Sequence, residues 1–236
     1  ALKAADIGIA MGVGSEVAHE SAQMLLVDNN FATIVAAVEE GKAIYANIQN
    51  FLRFQLTTSL AAIAVIAYCT LLGYPLPLNP MQILWVNIIM DGPPAQSLGM
   101  EPRSADVMRT PPRRLDEPVI DRAMMVEVPV HAALMLLGTL YVFFGMLPAE
   151  ALQQGGVANT LAEQRAATAA FSTFVLFQLF NALNCRSRTH SVLDLGLTTN
   201  RFLVLAVGGC LAMQLAVVYV PFLRYIFETQ PLSAAE

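Results

Sequence analysis

The chain has 236 residues, of which 56% are hydrophobic and only 13% are charged, so its composition excludes an ordinary soluble domain and predicts a membrane protein. Its formal net charge is −5, and no stripe of basic residues is present to neutralise phosphates, which argues against nucleic acid as a partner. The three cysteines are widely spaced and indicate neither a disulfide framework nor a soft-metal site.

The first thirty residues are not membrane-like, and their pattern predicts a strand at Ile7–Met11, a helix from Ser15 and a second strand at Met24–Val27. A strand, a helix and a strand in this order are typical of the edge of a parallel α/β sheet. The segment is too short to bury its own faces. We therefore interpret residues 1–30 as the distal end of a larger cytoplasmic domain.

A long helix is predicted next, at residues 31–73, as a stalk that continues into the first membrane span. Asp28-Asn29-Asn30 supplies residues that cap helix N-termini, apolar residues then recur with a helical period, and no proline occurs before Pro75. At 1.5 Å per residue, such a helix would be a rod of roughly 60 Å.

Five stretches in all, the first within that rod, are apolar and long enough to cross a hydrocarbon core of about 30 Å as helices. The other four spans are predicted at 79–98, 123–146, 167–185 and 202–223, with inner loops at 99–122 and 186–201, an outer loop at 147–166 and an outer tail at 224–236. Eleven of the 13 Lys and Arg residues fall on the inner side of this topology. The N-terminus is thus predicted to be cytoplasmic and the C-terminus to lie outside. The predicted fold is a mainly α, polytopic helical membrane bundle with a short α/β remnant.

The candidate site lies in the second predicted span, where Asp91 places a carboxylate in an apolar run. An ionisable group at membrane depth is costly unless it is paired, hydrated or metal-bound, so it indicates an ion or proton site. Asn87 precedes it by four residues, which puts both side chains on one face of a helix. The alternative is that Asp91 is structural and hydrogen-bonded inside the bundle.

A helix break is predicted beside the carboxylate. Pro93 and Pro94 have no N–H to donate to the carbonyls of Ile89 and Met90, and Gly92 lets the backbone bend. Carboxylate, amide and carbonyl oxygens are hard ligands, which Ca²⁺ prefers and Mn²⁺ accepts. Broken helices of this kind recur at midplane ion sites in transporters.

Three polar residues elsewhere in the spans are weaker candidates for the ion path or its surroundings. Ser59 has a hydroxyl to lend to the path, although such hydroxyls often bond back to their own helix. Gln82 is a candidate for tuning selectivity from outside the ligand shell. Gln178 is a candidate too, although interhelical hydrogen bonding is the more common role of such an amide.

Several motifs resemble those of P-type cation-transporting ATPases of the calcium-pump class, above all the secretory-pathway Ca²⁺/Mn²⁺ pumps and their bacterial relatives. The likeness extends over nearly the whole chain, and Met90–Gly99 is its most specific part. The other motifs are Ala-Leu-Lys-Ala-Ala-Asp-Ile-Gly-Ile-Ala-Met-Gly at the start, Val38–Tyr45, Met81–Asn87 and Phe180–Leu183.

The resemblance implies a C-terminal fragment of a pump: the end of the phosphorylation domain, which is HAD-like, and membrane helices five to nine of ten. The family's phosphorylated aspartate is absent from this chain, so the fragment is not expected to hydrolyse ATP, and ATP and Mg²⁺ would bind elsewhere in the pump. Asn87 and Asp91 match ligands of a single Ca²⁺ site. Ser59 and Gln178 stand where two-site pumps have an asparagine and a glutamate, which implies one ion per cycle.

The expected partners are therefore the lipid bilayer and the remaining domains and helices of the same pump. The expected cargo is Ca²⁺, with Mn²⁺ as a second candidate. The expected location is a bacterial plasma membrane or a Golgi-like secretory membrane. Two alternatives stay open: a P-type pump for protons or monovalent cations, and a truncated, non-enzymatic ion-binding or regulatory membrane subunit.

Overall fold

The computed structural model describes residues 1–104, 106–109, 111–112, 117–148, 160–188, 190–196 and 198–233. It divides into two compact units, one formed by Ala1–Ala46 with Arg103–Arg113 and the other by Asn47–Pro102 with Arg114–Glu236. Most of the predicted outer loop and the end of the predicted outer tail lie outside the described residues.

The first unit contains two short parallel strands, β1 (Ile9–Met11) and β2 (Met24–Leu26), with helix α1 (Glu16–Ser21) between them. Ile9 pairs with Met24 in the register. The hydroxyl of Ser15 caps α1 by accepting a hydrogen bond from the backbone N–H of Ala18 at 3.3 Å. The predicted strand, helix and strand are confirmed, as is their parallel arrangement.

Helix α2 runs without interruption from Ala32 to Leu72, over 41 residues, as the apolar period and the lack of proline predict. It ends at Gly73, whose φ of +71° is a left-handed conformation that favours glycine. The backbone N–H of Tyr74 then bonds the carbonyl of Cys69 at 2.8 Å, which closes the last turn.

The other α-helices and a π-helical turn belong to the second unit. They are α3 (Pro80–Trp85), a π-helical turn at Val86–Met90, α4 (Gly92–Leu98), α5 (Met124–Met146), α6 (Leu161–Asn184), α7 (Val192–Leu195), α8 (Arg201–Tyr219) and α9 (Pro221–Phe227). Among the described residues, four helices are long and apolar enough to cross a membrane: α2, α5, α6 and α8. The predicted second span, 79–98, is helical but divided at Asp91, so it forms no single long helix.

Two segment boundaries differ from the predicted ones. Helix α6 begins at Leu161 rather than near 167, because Thr160 and Glu163 form a capping box that starts the helix earlier. The last predicted span, 202–223, is divided after Tyr219: Pro221 opens α9, which carries the helical path into the predicted outer tail and ends at Phe227.

Helices α5 and α6 lie close together because a glycine stands at their contact. A Cβ atom on Gly138 would lie 2.5 Å from Cζ of Phe177, well inside van der Waals contact. Small residues at helix interfaces let backbones approach in this way. A side chain at residue 138 would therefore meet the ring of Phe177, which precedes Gln178 on α6.

A buried polar cluster joins the segment after α4 to the end of α6 and the start of α8. Arg186 and Glu101 form an ion pair at 2.6 Å, with side chains only 1% and 7% exposed. The Asn200 amide donates to the other carboxylate oxygen of Glu101 at 2.6 Å and to the carbonyl of Ser97 at 2.9 Å. Both carboxylate oxygens of Glu101 are thus hydrogen-bonded, as a buried charge requires.

Candidate functional site

Asp91 lies between the π-helical turn and α4, and only 2% of it is exposed. Its backbone N–H bonds the carbonyl of Val86 at 2.9 Å, five residues earlier, which is the pairing of a π turn. The regular α pattern therefore ends at Trp85, is followed by the π turn, and resumes at Gly92, next to Pro93 and Pro94. The structure confirms the predicted break in the helix at this point.

Two amide side chains hold the carboxylate of Asp91. The Nε2 group of Gln55, on α2, donates to Oδ2 at 3.4 Å. The Nε2 group of Gln178, on α6, donates to Oδ1. Both donors are neutral, so these contacts leave the negative charge of Asp91 uncompensated.

The carbonyl of Ile89 has no regular helical donor, because Pro93 lacks an N–H, and it accepts a hydrogen bond from a side chain instead. The thiol of Cys210, on α8, lies 3.3 Å from this oxygen and donates to it. A thiol is a weak donor, so the carbonyl oxygen keeps much of its capacity to accept. The break thus leaves a backbone oxygen with only a weak donor two residues before Asp91.

The predicted ligand Asn87 lies on the same segment, one turn before Asp91, but it is exposed whereas Asp91 is buried. The structure places Asp91 against α2 and α6, while the exposed Asn87 amide is open to further ligands. Asn87 and Asp91 thus differ in their surroundings although they share one short segment.

Of the weaker candidates, Gln178 forms a hydrogen bond with Asp91, whereas the hydrogen bonds of Gln82 lie elsewhere. Gln82 completes the capping box of α3 with Asn79, and its Nε2 group donates to the carbonyl of Phe227 at 3.1 Å. Ser59 is half-buried on α2, one turn after Gln55. Its neighbour Thr58 bonds back to the carbonyl of Phe54 at 3.1 Å, as hydroxyls within helices often do.

Helices α2 and α6, which hold Asp91, carry four buried polar atoms that have no hydrogen-bond partner among the described residues. They are Nε of Arg53, Oγ1 of Thr57, Oε1 of Gln178 and Nδ2 of Asn181. Buried polar groups normally have partners, so each such atom requires an explanation. The Gln178 oxygen is the most informative, because its own amide nitrogen contacts Asp91.

No three His, Cys, Asp or Glu side chains within the described residues are grouped so as to hold a metal ion. A cation at Asp91 would therefore be bound through one carboxylate together with amide, carbonyl or water oxygens. Such a ligand set suits a hard cation such as Ca²⁺.

Gln55 is the residue at this site that sequence analysis missed. A signal was present, because Gln55 is an amide in a stretch otherwise apolar enough to span a membrane. Polar residues in such stretches commonly hydrogen-bond across helices. The pattern does not show which helix they reach, and here the partner lies 36 positions away.

Comparison with known families agrees with this architecture. The model of the family described as "Cation transporting ATPase, C-terminus" matches residues 75–236. The chain therefore belongs to the cation-transporting ATPases, of which it represents the C-terminal region.

The individual relatives that the chain resembles are named as calcium-transporting ATPases. It is 50% identical to "Calcium-transporting ATPase type 2C member 2" of Mus musculus, over 100% of this chain and 24% of that protein. It is 48% identical both to "Calcium-transporting ATPase type 2C member 1" of Homo sapiens and to "Calcium-transporting ATPase 1" of Yarrowia lipolytica, over 99% and 100% of this chain and 24% of each relative. These identities confirm the predicted resemblance to calcium-transporting ATPases, and the chain spans about a quarter of the length of the curated relatives it matches.

Proposed function

We propose that this chain is the C-terminal membrane portion of an ATP-driven pump that exports Ca²⁺, and also Mn²⁺, from the cytoplasm through one intramembrane site. The observation that carries the proposal is Asp91, a buried carboxylate at a helix break that is held by neutral amides. Burying a charge without a counter-charge costs several kcal/mol or more, so its retention calls for a function. A divalent cation is the natural counter-charge.

Asn87 and Asp91 are the proposed ligands. Ca²⁺ usually takes six to eight oxygens, which two side chains do not supply. The exposed Asn87 leaves room for oxygens from the remaining helices of the pump, and water or the Ile89 carbonyl can add others. With Gln178 bonded to Asp91 rather than free, a single ion per cycle is the stoichiometry we propose.

The rest of the pump would supply the energy. ATP, Mg²⁺ and the phosphorylated aspartate belong to domains outside this chain, and residues 1–30 would be the end of the phosphorylation domain. In this scheme, the N-terminus is cytoplasmic, the C-terminus is on the outer side, and the bilayer surrounds the helices. A Golgi-like secretory membrane is the location we propose, from the resemblance to secretory-pathway pumps.

The test is Asp91→Asn in the complete pump. We expect this change to abolish Ca²⁺-dependent phosphorylation by ATP, because the anionic ligand is lost, while phosphorylation by inorganic phosphate without Ca²⁺ continues. Asp194→Asn, which alters an exposed carboxylate on α7, is the matched control and should leave both reactions unchanged. A wild-type response to Ca²⁺ in Asp91→Asn would remove Asp91 from the site.

The same assay separates the alternatives. Phosphorylation that depends on protons or monovalent cations and ignores Ca²⁺ would indicate a pump of different specificity. A coding sequence that lacks Asp-Lys-Thr-Gly-Thr upstream of Ala1 would favour an ion-binding or regulatory subunit. Repeating the titration with Mn²⁺ tests the second cargo.

A further inference from the structure

We infer that Gln55 and Gln178 form a two-sided amide clamp on Asp91, which orients the carboxylate and sets its affinity for the cation. Both glutamines are positioning residues that act through Asp91. This inference rests on the proposed role of Asp91 as a cation ligand, and the experiment below separates the two.

The geometry fixes the carboxylate from both sides. Gln178 donates to Oδ1 and Gln55 donates to Oδ2, so each oxygen has its own donor on its own helix, α6 and α2. A carboxylate held at one oxygen can still turn about its terminal torsion, which is broad. A carboxylate that is held at both oxygens keeps the orientation of its plane, so it does not have to reorient when the cation binds.

The neutrality of the donors is what suits them to a cation site. An arginine or lysine beside Asp91 would hold the carboxylate equally well, but its positive charge would compete with the arriving cation. An amide stabilises the ionised form through hydrogen bonds and brings no net charge. The clamp thus keeps Asp91 oriented while leaving its full charge for the ion.

The second atom of the Gln178 amide supports this assignment. Its Oε1 is buried and has no hydrogen-bond partner among the described residues, although Gln178 is 0% exposed. If the residue only joined two helices, both ends of the amide should be satisfied. An oxygen left free next to a carboxylate is suited to accept a hydrogen bond from a water molecule bound to the cation.

Another buried glutamine shows the purely structural arrangement and supplies a matched control. Gln214 on α8 is 3% exposed, and both ends of its amide are bonded: Oε1 accepts from Trp85 at 3.3 Å and Nε2 donates to Ser172 at 3.4 Å. It contacts no carboxylate in these bonds. Replacing it removes a buried interhelical amide without touching Asp91.

The experiment is to make Gln55→Met, Gln178→Met and Gln214→Met in the complete pump and titrate Ca²⁺ against phosphorylation by ATP. Methionine keeps the length and flexibility of the side chain and removes the N–H donors. Phosphorylation by inorganic phosphate without Ca²⁺ is measured in parallel to show that each variant is folded.

We expect Gln55→Met and Gln178→Met each to raise the half-saturating Ca²⁺ concentration by about tenfold, because a hydrogen bond to a charged group is lost. The maximal phosphorylation at saturating Ca²⁺ should stay near wild type. Gln214→Met should shift the half-saturating concentration less than about twofold.

Two failures can be told apart. If Asp91→Asn abolishes the Ca²⁺ response but both clamp variants match Gln214→Met, the clamp is refuted and the proposed site stands. If Asp91→Asn itself responds normally to Ca²⁺, the proposed site falls. Should Gln178→Met not fold, the half-buried Gln55 still decides the outcome, because its variant must shift the titration for the clamp to hold.

Discussion

The contact between α5 and α6 allows a sharp test of the fold, because α5 offers two glycines in different surroundings. Gly138 faces Phe177, whereas a Cβ on Gly145 would meet nothing within 4 Å. Replacing either one with alanine adds the same methyl group to the same helix. We expect Gly138→Ala to destabilise the protein relative to Gly145→Ala.

The magnitude follows from the distances. Carbon atoms pack best at about 3.5–4.0 Å, so a Cβ placed 2.5 Å from Cζ of Phe177 must be relieved by about 1 Å or more. Overpacking of this kind typically costs about 1–3 kcal/mol. Alanine gains up to about 1 kcal/mol over glycine in a helix interior, and this gain is common to both variants. Gly138→Ala should therefore be less stable than Gly145→Ala by about 1–3 kcal/mol.

Thermal unfolding of the two purified variants in the same detergent measures this difference directly. The pump assay adds a second measurement, because Phe177 precedes Gln178, and displacement of α6 should weaken the Ca²⁺ response of Gly138→Ala more than that of Gly145→Ala. Equal melting temperatures for the two variants would refute the close approach of α5 and α6 at Gly138.

Two further predictions concern contacts on either side of α4. Glu101→Gln should destabilise the protein by about 3 kcal/mol in thermal unfolding, because Arg186 is left as a buried charge without a counter-charge. The control Asp106→Asn breaks an exposed ion pair and should cost less than about 1 kcal/mol. Equal losses of stability in the two variants would contradict the burial of the Glu101–Arg186 pair. Cys210→Ala should be less stable than Cys210→Ser by about 0.5–1.5 kcal/mol, because serine keeps a donor for the Ile89 carbonyl. Identical melting temperatures for the two Cys210 variants would rule out that hydrogen bond.

Local patterns in the sequence predicted most of the architecture. The uninterrupted α2 follows from the apolar period between Asn30 and Pro75, and the break at Asp91 follows from Gly92-Pro93-Pro94, since both depend on neighbouring residues. The shift of the α6 start to Leu161 also has a local cause, the capping box of Thr160 and Glu163. That signal was readable in the sequence.

The contacts of the site could not be predicted in the same way. Gln55 and Gln178 lie 36 and 87 positions from Asp91, and their meeting depends on how α2 and α6 are rotated about their axes. Periodicity gives the apolar face of a helix but not its neighbour. The different burial of Asn87 and Asp91 has the same origin, because spacing along one helix does not tell which side faces the bundle.

The π turn at Val86–Met90 sets the direction in which the carboxylate of Asp91 leaves the helix. At this turn the N–H of Asp91 reaches back five residues rather than four, and the difference amounts to one extra residue in the turn. A change between these two pairings would alter the direction in which the following side chain points. Asp91 is the first residue after that turn, so such a change would rotate its carboxylate about the helix axis relative to Gln55 and Gln178.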